Sequence, residues 1–493
     1  MPSKDKTQKR YSGVLLAVSS LPSSYGIGSL GVEAYKFIDF LRDSNQKFWQ
    51  ILPLCPLGEG NSPYKSPSSF AGEILYIDID FLLSDRLLCK EDINDCNFGK
   101  NVDYALARKI KIPLLKKAVN NFDTTSKNYK SFLSDNKFWL EDYALFAAAS
   151  EIYCADSISD LPEGFKYKLP DFIEVFKQKY KPVIEFYKVT QYFFFCQYYE
   201  LKRYANQNGV KIIGDIPFYV APDSADVWGN PDDFLLSRDF TPTMVAGVPS
   251  DVFSENGQLW GNPIYNWQNM RESDYRWWTS RLKFCCDMYD VVRIDHFRAF
   301  ARFYQIPAGS NNALSGSWID GEDATFWDKM RENIGEINII AEDLGGEEDE
   351  KVIELLKHTD FPNMKILQFG FGGDMENIYL PQNYPYNCVC YTGTHDNDTA
   401  LGWYNKASTK ERVIFNTLIR NNTGCVSHDM IRALSKSDSM LLIIPMQDVL
   451  CLDSSARMNT PGTIGDNWVW RMSKDDINQD NAKLLKKLTK ERN

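Results

Sequence analysis

The sequence lacks the features that mark nucleic-acid-binding and membrane proteins. Its 493 residues carry a formal net charge of −11 and contain no long run of Lys or Arg, so they offer little basic surface for phosphate groups. No apolar run approaches the ~20 residues that a membrane-spanning helix needs. The basic N-terminus, MPSKDKTQKR, is followed only by the short apolar run VLLAV, which does not resemble a signal peptide. These absences predict a cytoplasmic protein with no nucleic-acid partner and no membrane partner.

Histidine is scarce, and the cysteines lack a metal-binding arrangement. Only four histidines occur, and the eleven cysteines are an odd number whose closest pairs, Cys285–Cys286 and Cys388–Cys390, do not have zinc-site spacing. We therefore predict reduced, mostly buried thiols, as is usual in the cytosol. The chain is rich instead in apolar (44%) and aromatic (14%) residues, which suffices for a large core. An acidic surface with many aromatic residues suits a neutral substrate.

Short apolar runs recur along the chain, and each ends in polar residues, Gly or Pro. They cover 12–22, 47–54, 211–220, 290–297, 337–345, 364–371, 387–398 and 440–450. This pattern is typical of strands that are buried on both faces of a parallel sheet. Helix-like stretches such as 273–289 and 347–358 lie between several of them. Eight strands that alternate with helices predict an α/β protein built as a (β/α)8 TIM barrel.

Two intervals are too long to be simple connections between barrel elements. Residues 80–185 have a largely helical pattern, whereas 221–272 are rich in Pro, Gly, Asn and Trp. We predict a single catalytic barrel domain over 1–493 that carries a helical insertion subdomain at 80–185. The second interval, 221–272, is predicted to be a loop-rich insertion.

Polar residues concentrate where the predicted strands end. The ends of strands three, four, five and seven carry Asp215; Arg293, Asp295 and His296; Glu342 and Asp343; and His395, Asp396 and Asp398. The carboxyl ends of the strands of such a barrel form the active site. A single Asp–Arg pair would be explained by structure alone, but several carboxylate-bearing ends that converge on one barrel mouth favour a catalytic centre.

Two kinds of chemistry use such a set of residues. Metal-assisted hydrolysis needs His and carboxylate ligands, and barrel enzymes of that kind carry His-x-His on the first strand, which is absent from VLLAVSSLP. The favoured alternative is glycosyl chemistry by a carboxylate pair. Asp295 lies two residues after Arg293, on the same strand face, and the guanidinium would keep this nucleophile ionised. Glu342 follows the apolar run INIIA, which suits a carboxyl group that must hold a proton. We predict that no metal is required.

Aromatic residues that could stack on sugar rings crowd the predicted loops. WGNP occurs at 228–231 and again at 260–263, and the aromatic set comprises Tyr64, Tyr219, Trp228, Phe253, Trp260, Tyr265, Trp267, Trp403 and Trp468. A Trp that is flanked by Gly-Asn-Pro is expected in a turn and exposed. Trp49, Trp139 and Trp277 are expected in the core.

The chain resembles the 4-α-glucanotransferases of the amylomaltase, or disproportionating-enzyme, family. The resemblance extends from about residue 12 to 472, and its motifs are SLPSSYGIGSLG, NSPYKSPSSFAG, GDIPFYVAPDSADVW, FSENGQLWGNPIY, VRIDHFRAF, IIAEDLG, TGTHDNDTALGW and RMNTPGT. It implies a barrel related to that of the α-amylases, without their separate C-terminal β-domain. It also implies a retaining transfer of α-1,4-glucan segments between maltooligosaccharides or starch- and glycogen-derived glucans, with no cofactor.

The resemblance assigns a role to each motif residue. Asp295 would be the nucleophile, Glu342 the general acid/base, and Asp396 the third carboxylate, which holds the reacting sugar. The residues implied to bind substrate are Tyr64, Asp215, Phe253, Gln258, Trp260, Arg293, His296, His395 and Asn459. The loop 247–262 would be a lid that keeps water from the site while an acceptor glucan is bound.

Several positions depart from the family pattern. Val252 replaces a lid tyrosine, Ala299 and Asp466 replace glycines, and Glu73 and Glu322 also differ from the usual residues. The lid change leaves open a second interpretation, in which the same site acts mainly as a hydrolase. A third interpretation, a non-enzymatic glucan-binding protein, is disfavoured by the complete set of Asp295, Glu342, Asp396 and Arg293.

Overall fold

Strands formed by the short apolar runs organise the molecule. The computed structural model describes residues 8–93, 98–250, 255–345, 349–420 and 423–492. The strands in these residues are β1 (Tyr11–Leu15), β2 (Phe48–Gln50), β3 (Lys211–Pro217), β4 (Met244–Val248), β5 (Gln258–Pro263), β6 (Val291–Asp295), β7 (Arg302–Pro307), β8 (Ser317–Asp320), β9 (Ile339–Ala341), β10 (Asn363–Ile366), β11 (Cys388–Tyr391) and β12 (Leu441–Pro445).

Eight of these strands close into a parallel barrel in the order β1-β12-β11-β10-β9-β6-β3-β2. Each overlaps one of the eight apolar runs, so the predicted (β/α)8 barrel is confirmed. Strands β11 and β12 are buried along their whole length, as expected for strands covered on both faces. After β12, the described residues form helices and no further strand.

The register of the barrel determines which polar residues meet. Asp215 of β3 pairs with Arg293 of β6, and Ile294 of β6 pairs with Ala341 of β9. One residue beyond the second pair, Asp295 ends β6 and Glu342 directly follows β9, so the two lie side by side at the carboxyl end of the barrel. The predicted convergence of strand ends thus follows from hydrogen bonding between adjacent strands.

Helices surround the barrel and fill the long intervals. They are α1 (Val32–Asp43), α2 (Ile79–Ser84), α3 (Tyr104–Asn120), α4 (Lys127–Asp135), α5 (Lys137–Tyr153), α6 (Glu163–Lys166), α7 (Pro170–Lys179), α8 (Lys181–Gln207), α9 (Ala225–Gly229), α10 (Trp267–Glu272), α11 (Arg276–Met288), α12 (Asp323–Ile334), α13 (Glu350–Thr359), α14 (Ala400–Lys406), α15 (Thr409–Leu418), α16 (Val426–Lys436), α17 (Met446–Val449) and α18 (Gln479–Leu488). Helices α3 to α7 lie within 80–185, and the treatment of that interval as a separate subdomain stays a prediction. None of the helices in the described ranges is long and apolar enough to cross a membrane.

A second, antiparallel sheet was not predicted. Its strand order is β5-β4-β7-β8, and β4 and β5 lie within 221–272, the interval interpreted as loops. Both strands contain Gly, and β5 ends in Asn-Pro, residues that favour turns in a sequence pattern. The predicted lid 247–262 thus overlaps the ends of two paired strands.

The cysteines differ from the prediction of reduced, mostly buried thiols. Cys425 and Cys451 form a disulfide that joins the start of α16 to the segment after α17. Among the free cysteines of the described residues, Cys89, Cys154 and Cys196 are exposed. Sequence spacing missed the pair because the two cysteines are separated by 26 residues and meet only through the packing of α16.

Candidate active site

Arg293 forms the centre of a buried ion-pair network at the barrel mouth. Its Nη1 donates to both carboxylate oxygens of Asp215 at 2.7 Å, and its Nη2 donates to Asp295 Oδ1 at 2.9 Å. Tyr64 Oη donates to Asp215 Oδ2 at 2.8 Å. The network follows from the strand register, since Asp215 and Arg293 are direct neighbours on β3 and β6.

Asp295 presents its carboxylate to the open part of this site. Its side chain is 32% exposed, whereas that of Arg293 is 3% exposed. Burial raises the pKa of Asp295, the Arg293 guanidinium opposes that rise, and the charges of Asp215 and Asp396 add to it. The net direction is upward, so Arg293 offsets the effect of burial and does not reverse it. Arg293 also shares its charge with Asp215.

Glu342 is held by two backbone amides. Oε2 accepts from the His296 N–H at 2.6 Å, and Oε1 accepts from the Leu344 N–H at 2.8 Å. Burial is the main cause that raises the pKa of Glu342, to about 8, and the neighbouring Asp295 charge adds to the rise. The side chain is therefore protonated at neutral pH, as a general acid must be.

His296 links these two carboxyl groups through its backbone. It adopts a left-handed conformation with φ 55°, and its N–H donates to Glu342. Its ring lies edge-on to Trp260, with ring centroids 4.9 Å apart. Burial lowers the pKa of His296 to about 3, so the ring is neutral. Among the described residues, its buried Nε2 has no hydrogen-bond partner, which leaves this atom for a ligand hydroxyl.

Asp396 belongs to a second cluster on the loop after β11. His395 Nε2 lies 3.3 Å from Asp396 Oδ2, and Asn459 Nδ2 donates to Oδ1 at 2.6 Å. Burial raises the pKa of Asp396, but His395, Asn459 and Arg293 together lower it to about 2. Burial lowers the pKa of His395, but the Asp396 carboxylate outweighs it and the net shift is upward. Near neutral pH, Asp396 is therefore ionised while Glu342 holds its proton.

Aromatic rings connect the two clusters. Tyr64, whose hydroxyl binds Asp215, stacks on His395 with centroids 5.1 Å apart and an angle of 13° between the rings. Trp468 lies 5.9 Å from both rings. On β5, Trp260 Nε1 donates to Gln258 Oε1 at 3.0 Å. One face of Tyr64 is therefore occupied by His395, which holds the phenol in place beside the ion-pair network.

Some residues singled out in the sequence lie elsewhere or serve structure. Phe253 and Val252 lie outside the described residues. Asp343 accepts from Asn363 Nδ2 at 2.8 Å and from the Met364 N–H at 3.2 Å, which ties it to β10. Asp398 binds Lys406 at 2.6 Å and Ser454 at 2.8 Å. Neither carboxylate contacts Asp295, Glu342 or Asp396.

The expectation that Trp228 is exposed is wrong. Its side chain is 1% exposed and stacks on Phe165 with centroids 4.8 Å apart. The first WGNP lies at the end of the buried helix α9, whereas the second lies on β5. Trp49, Trp139 and Trp277 are buried, as predicted.

Arg457 is a site residue that the sequence analysis missed. It donates to the backbone oxygen of Asp396 at 2.6 Å and to that of Asn459 at 2.7 Å. It thereby fixes the loop on which Asp396 lies against the segment that contains Asn459. The available signal was its position two residues before Asn459 in RMNTPGT, but a sequence does not show backbone contacts.

Two of the departures from the family pattern have structural partners. Glu73 is buried and accepts from the N–H groups of Leu57 and Leu75. Glu322 accepts from Tyr275 Oη at 2.5 Å and from Arg271. Asp466 has φ +53°, a conformation that glycine adopts more readily. These departures do not touch the three carboxylates.

The arrangement can support acid/base and nucleophilic chemistry at one carbon. Glu342, whose pKa is raised, directly follows the strand next to that of Asp295, and Asp396 is close enough to affect the pKa of Asp295. No group of three or more His, Cys, Asp or Glu side chains among the described residues is arranged to hold a metal ion. The prediction that none is needed stays a prediction.

The whole chain is similar to known proteins of one family. Residues 16–477 match a family model described as 4-alpha-glucanotransferase. The 4-alpha-glucanotransferase of Streptococcus pneumoniae is 45% identical, with 95% of this chain and 94% of that protein covered, and that of Clostridium butyricum is 43% identical, with 96% and 98% covered. The solved amylomaltase of Streptococcus agalactiae in complex with acarbose is 40% identical and has a TM-score of 0.94, with 98% and 99% of the two chains covered.

Proposed function

The chain belongs to the 4-alpha-glucanotransferase family, glycoside hydrolase family 77, and from that membership we propose how its residues transfer a glucan. The substrates proposed are maltooligosaccharides and the α-1,4-glucan chains of starch or glycogen. The observation that supports this proposal most directly is the position of Glu342, directly after β9 and beside the Arg293-bound Asp295 of β6. Burial there raises the pKa of Glu342 to about 8. This pairing separates the roles of acid and nucleophile.

The first step breaks the α-1,4 bond of the donor. The Glu342 proton passes to the glycosidic oxygen, which leaves with the bonding electrons as the 4-hydroxyl of the released chain. An oxygen of Asp295 attacks the anomeric carbon from the opposite face and forms a covalent β-glycosyl ester. The 5–5.5 Å separation of carboxyl groups that is typical of retaining enzymes is expected for this pair.

The second step reverses the first with a different alcohol. The ionised Glu342 takes the proton from the 4-hydroxyl of an acceptor glucan, whose oxygen attacks the anomeric carbon and displaces Asp295. Two inversions restore the α configuration, and Glu342 regains its proton. Donor and acceptor bonds are equivalent, so no cofactor or energy source is consumed.

Asp396 and its partners are proposed to grip the sugar that reacts. An ionised carboxylate that is fixed by Asn459 and His395 can accept hydrogen bonds from two sugar hydroxyl groups and favour a distorted ring. The free Nε2 of His296 is suited to another hydroxyl of the same ring. Asp215 and Arg293 complete the polar floor, and Tyr64 borders it.

The acceptor is proposed to bind against the lid, beside the side chains of β5. Trp260 and Gln258 already form a mutual hydrogen bond there, and Phe253 would add a ring. Transfer occurs when a bound acceptor attacks the glycosyl enzyme, and hydrolysis occurs when water attacks it instead. The cytoplasmic location and the role in starch or glycogen metabolism stay predictions.

The purified protein and maltotriose alone test the proposed function. Glucose together with maltopentaose and longer chains, separated by size, is the expected result. Glucose and maltose without longer chains would favour the hydrolase and point to Val252 in the lid. Unchanged maltotriose would contradict both the transferase and the hydrolase interpretation of the site.

A variant pair tests the role of Glu342. We expect Glu342→Gln to lose at least ~100-fold in rate, the lower end of general acid–base contributions, and to retain maltotriose binding. Glu336→Gln removes the same charge from an exposed position on the preceding loop and is expected to keep full activity. If Glu342→Gln stays fully active, Glu342 is not the acid/base.

A further inference from the structure

A cavity of about 230 Å³ lies outside the catalytic site, between helices α5, α9 and α11. Its lining contains none of the residues that form the active site described above. The volume is below the ~300 Å³ at which pockets for drug-sized ligands begin. It therefore suits a single ring-sized group better than a segment of several rings.

Aromatic side chains form one wall of this cavity. Phe70, Phe138, Trp139 and Trp277 line it, and Phe70 contacts the other three with ring centroids 5.4–6.4 Å apart. Three of these rings are buried, but Phe138 is 53% exposed. An aromatic ring that is exposed beside a cavity is a stacking surface for the apolar face of a ligand.

Polar side chains also line the cavity, and Asp226 and Asn230 are among them. Asp226 already accepts from the Ser69 N–H at 2.7 Å, and Asn230 donates to the Asp226 backbone oxygen at 3.2 Å.

Charged side chains of both signs line the cavity. Asp142, Asp226 and Arg276 are among its lining residues, and Lys168 lies 3.8 Å from Asp142. Burial raises the pKa of Asp226 to about 6. This mixture gives no strong preference for an anion or a cation. It favours a neutral ligand with several hydroxyl groups, which can both donate and accept hydrogen bonds.

We propose that this cavity is a second carbohydrate site, which binds one glucose unit of a glucan chain away from the catalytic centre. Such a site anchors a long or branched glucan while another of its chains reacts. The identification of the sugar as glucose rests on the proposed function. The exposed ring of Phe138 and the polar lining of the cavity are independent of that proposal.

Two exposed side chains allow the site to be tested without disturbing the core. Phe138→Ala removes the stacking ring and Arg276→Ala removes the cation, and Tyr199→Ala is a matched control because Tyr199 is exposed on α8, away from the cavity. Affinity for glycogen is measured by retardation in native gels, and turnover is measured separately with maltotriose. We expect the Kd for glycogen of Phe138→Ala to rise roughly 3- to 10-fold, the effect of a lost aromatic contact, with a smaller rise for Arg276→Ala. Maltotriose turnover is expected to stay within about twofold of wild type.

The outcomes separate this site from the proposed function. Wild-type glycogen affinity in Phe138→Ala would overturn the second site, and so would an equal loss of maltotriose turnover, because the side chain would then act on the catalytic centre or the fold. If the wild-type protein makes no longer chains from maltotriose, the proposed function fails. Glycogen retention that depends on Phe138 but not on Tyr199 would still support the carbohydrate site in that case.

Discussion

Glu342 and Asp295 are both carboxylic acids, yet their surroundings give them different tasks. Glu342 is buried beside a second carboxylate, and these two causes raise its pKa to about 8. Asp295 accepts from the Arg293 guanidinium and remains one-third exposed. Glu342 is therefore suited to carry the proton, and Asp295, held by Arg293 and open to the site, is suited to attack.

The raised pKa of Glu342 predicts the alkaline limb of the pH profile. As pH rises through about 8, Glu342 loses the proton that must reach the leaving oxygen, so kcat/KM for maltotriose should fall tenfold per pH unit above that value. Initial rates between pH 5 and 10 check this, and Glu342→Gln should show a low rate without the limb. An alkaline limb that persists unchanged in Glu342→Gln would assign it to another group.

The hydrogen bond from Asn459 to Asp396 predicts a loss of activity with little loss of fold. Asn459→Ala removes a donor to an ionised carboxylate, a bond worth about 1.5–3 kcal/mol, so kcat/KM should fall roughly 10- to 150-fold. Asn467→Ala is a control in the same loop, since Asn467 contacts backbone and Thr463 but none of the three carboxylates. Equal rates for Asn459→Ala and wild type would show that Asp396 needs no such support.

At this scale, the sequence predicts residue types better than contacts. Asp295, Glu342 and Asp396 could be selected because each follows an apolar run that becomes a barrel strand. The amides of His296 and Leu344 that hold Glu342, and the Arg457 side chain that fixes Asp396, depend on backbone positions that a sequence pattern does not give. The predicted exposure of Trp228 was wrong for the same reason, because only packing against Phe165 distinguishes the WGNP at 228–231 from that at 260–263.

At the scale of elements, β3 and β6 are tied together by the Arg293–Asp215 pair. Arg293→Met leaves the Asp215 carboxylate buried without its main partner, and we expect the free energy of unfolding to fall by about 3–5 kcal/mol. Adding Asp215→Asn should restore much of that loss but no activity. Urea unfolding followed by circular dichroism measures both effects.

The exposed pair Arg203–Glu200 provides the control for this element-scale prediction. Both side chains are more than half exposed, so Arg203→Met should change stability by less than about 1 kcal/mol. If Arg293→Met costs no more than Arg203→Met, the buried pair does not stabilise the contact between β3 and β6.

The strands of the barrel are easier to predict from the sequence than those of the antiparallel sheet. Barrel strands such as β11 and β12 are continuous apolar runs, so burial on both faces marks them clearly. Strands β4, β5, β7 and β8 are short, include Gly or Pro in several cases, and pair across up to 63 positions. Their pairing was missed because the residues that favour turns also occur inside these strands.

At the scale of the whole molecule, the Cys425–Cys451 disulfide predicts a stability that depends on reduction. The bond closes a segment with a sequence separation of 26, so its removal should lower the free energy of unfolding by on the order of 3 kcal/mol. We expect Cys425→Ser to lower the unfolding midpoint in non-reducing buffer, whereas Cys154→Ser, at an exposed free thiol, should not. Wild type with an unchanged midpoint in dithiothreitol would show that the bond contributes nothing.

The overall architecture was predictable because its signal repeats. Eight apolar runs at intervals that allow helices leave few topologies other than a barrel, and the barrel then collects the strand ends at one mouth. The disulfide and the cavity beside α5 carry no such repeated signal. Each depends on how inserted segments pack against the barrel after it has formed.

The central claim, that Asp295 becomes glycosylated while Glu342 supplies and removes the proton, is tested most directly by trapping the intermediate. Maltosyl fluoride has a leaving group that departs without an acid, so Glu342→Gln should form the ester but lack the base that releases it. Intact mass spectrometry is expected to show one added maltosyl group, and peptide mapping should place it on Asp295. No adduct at any time point, or an adduct on another residue, would contradict the account.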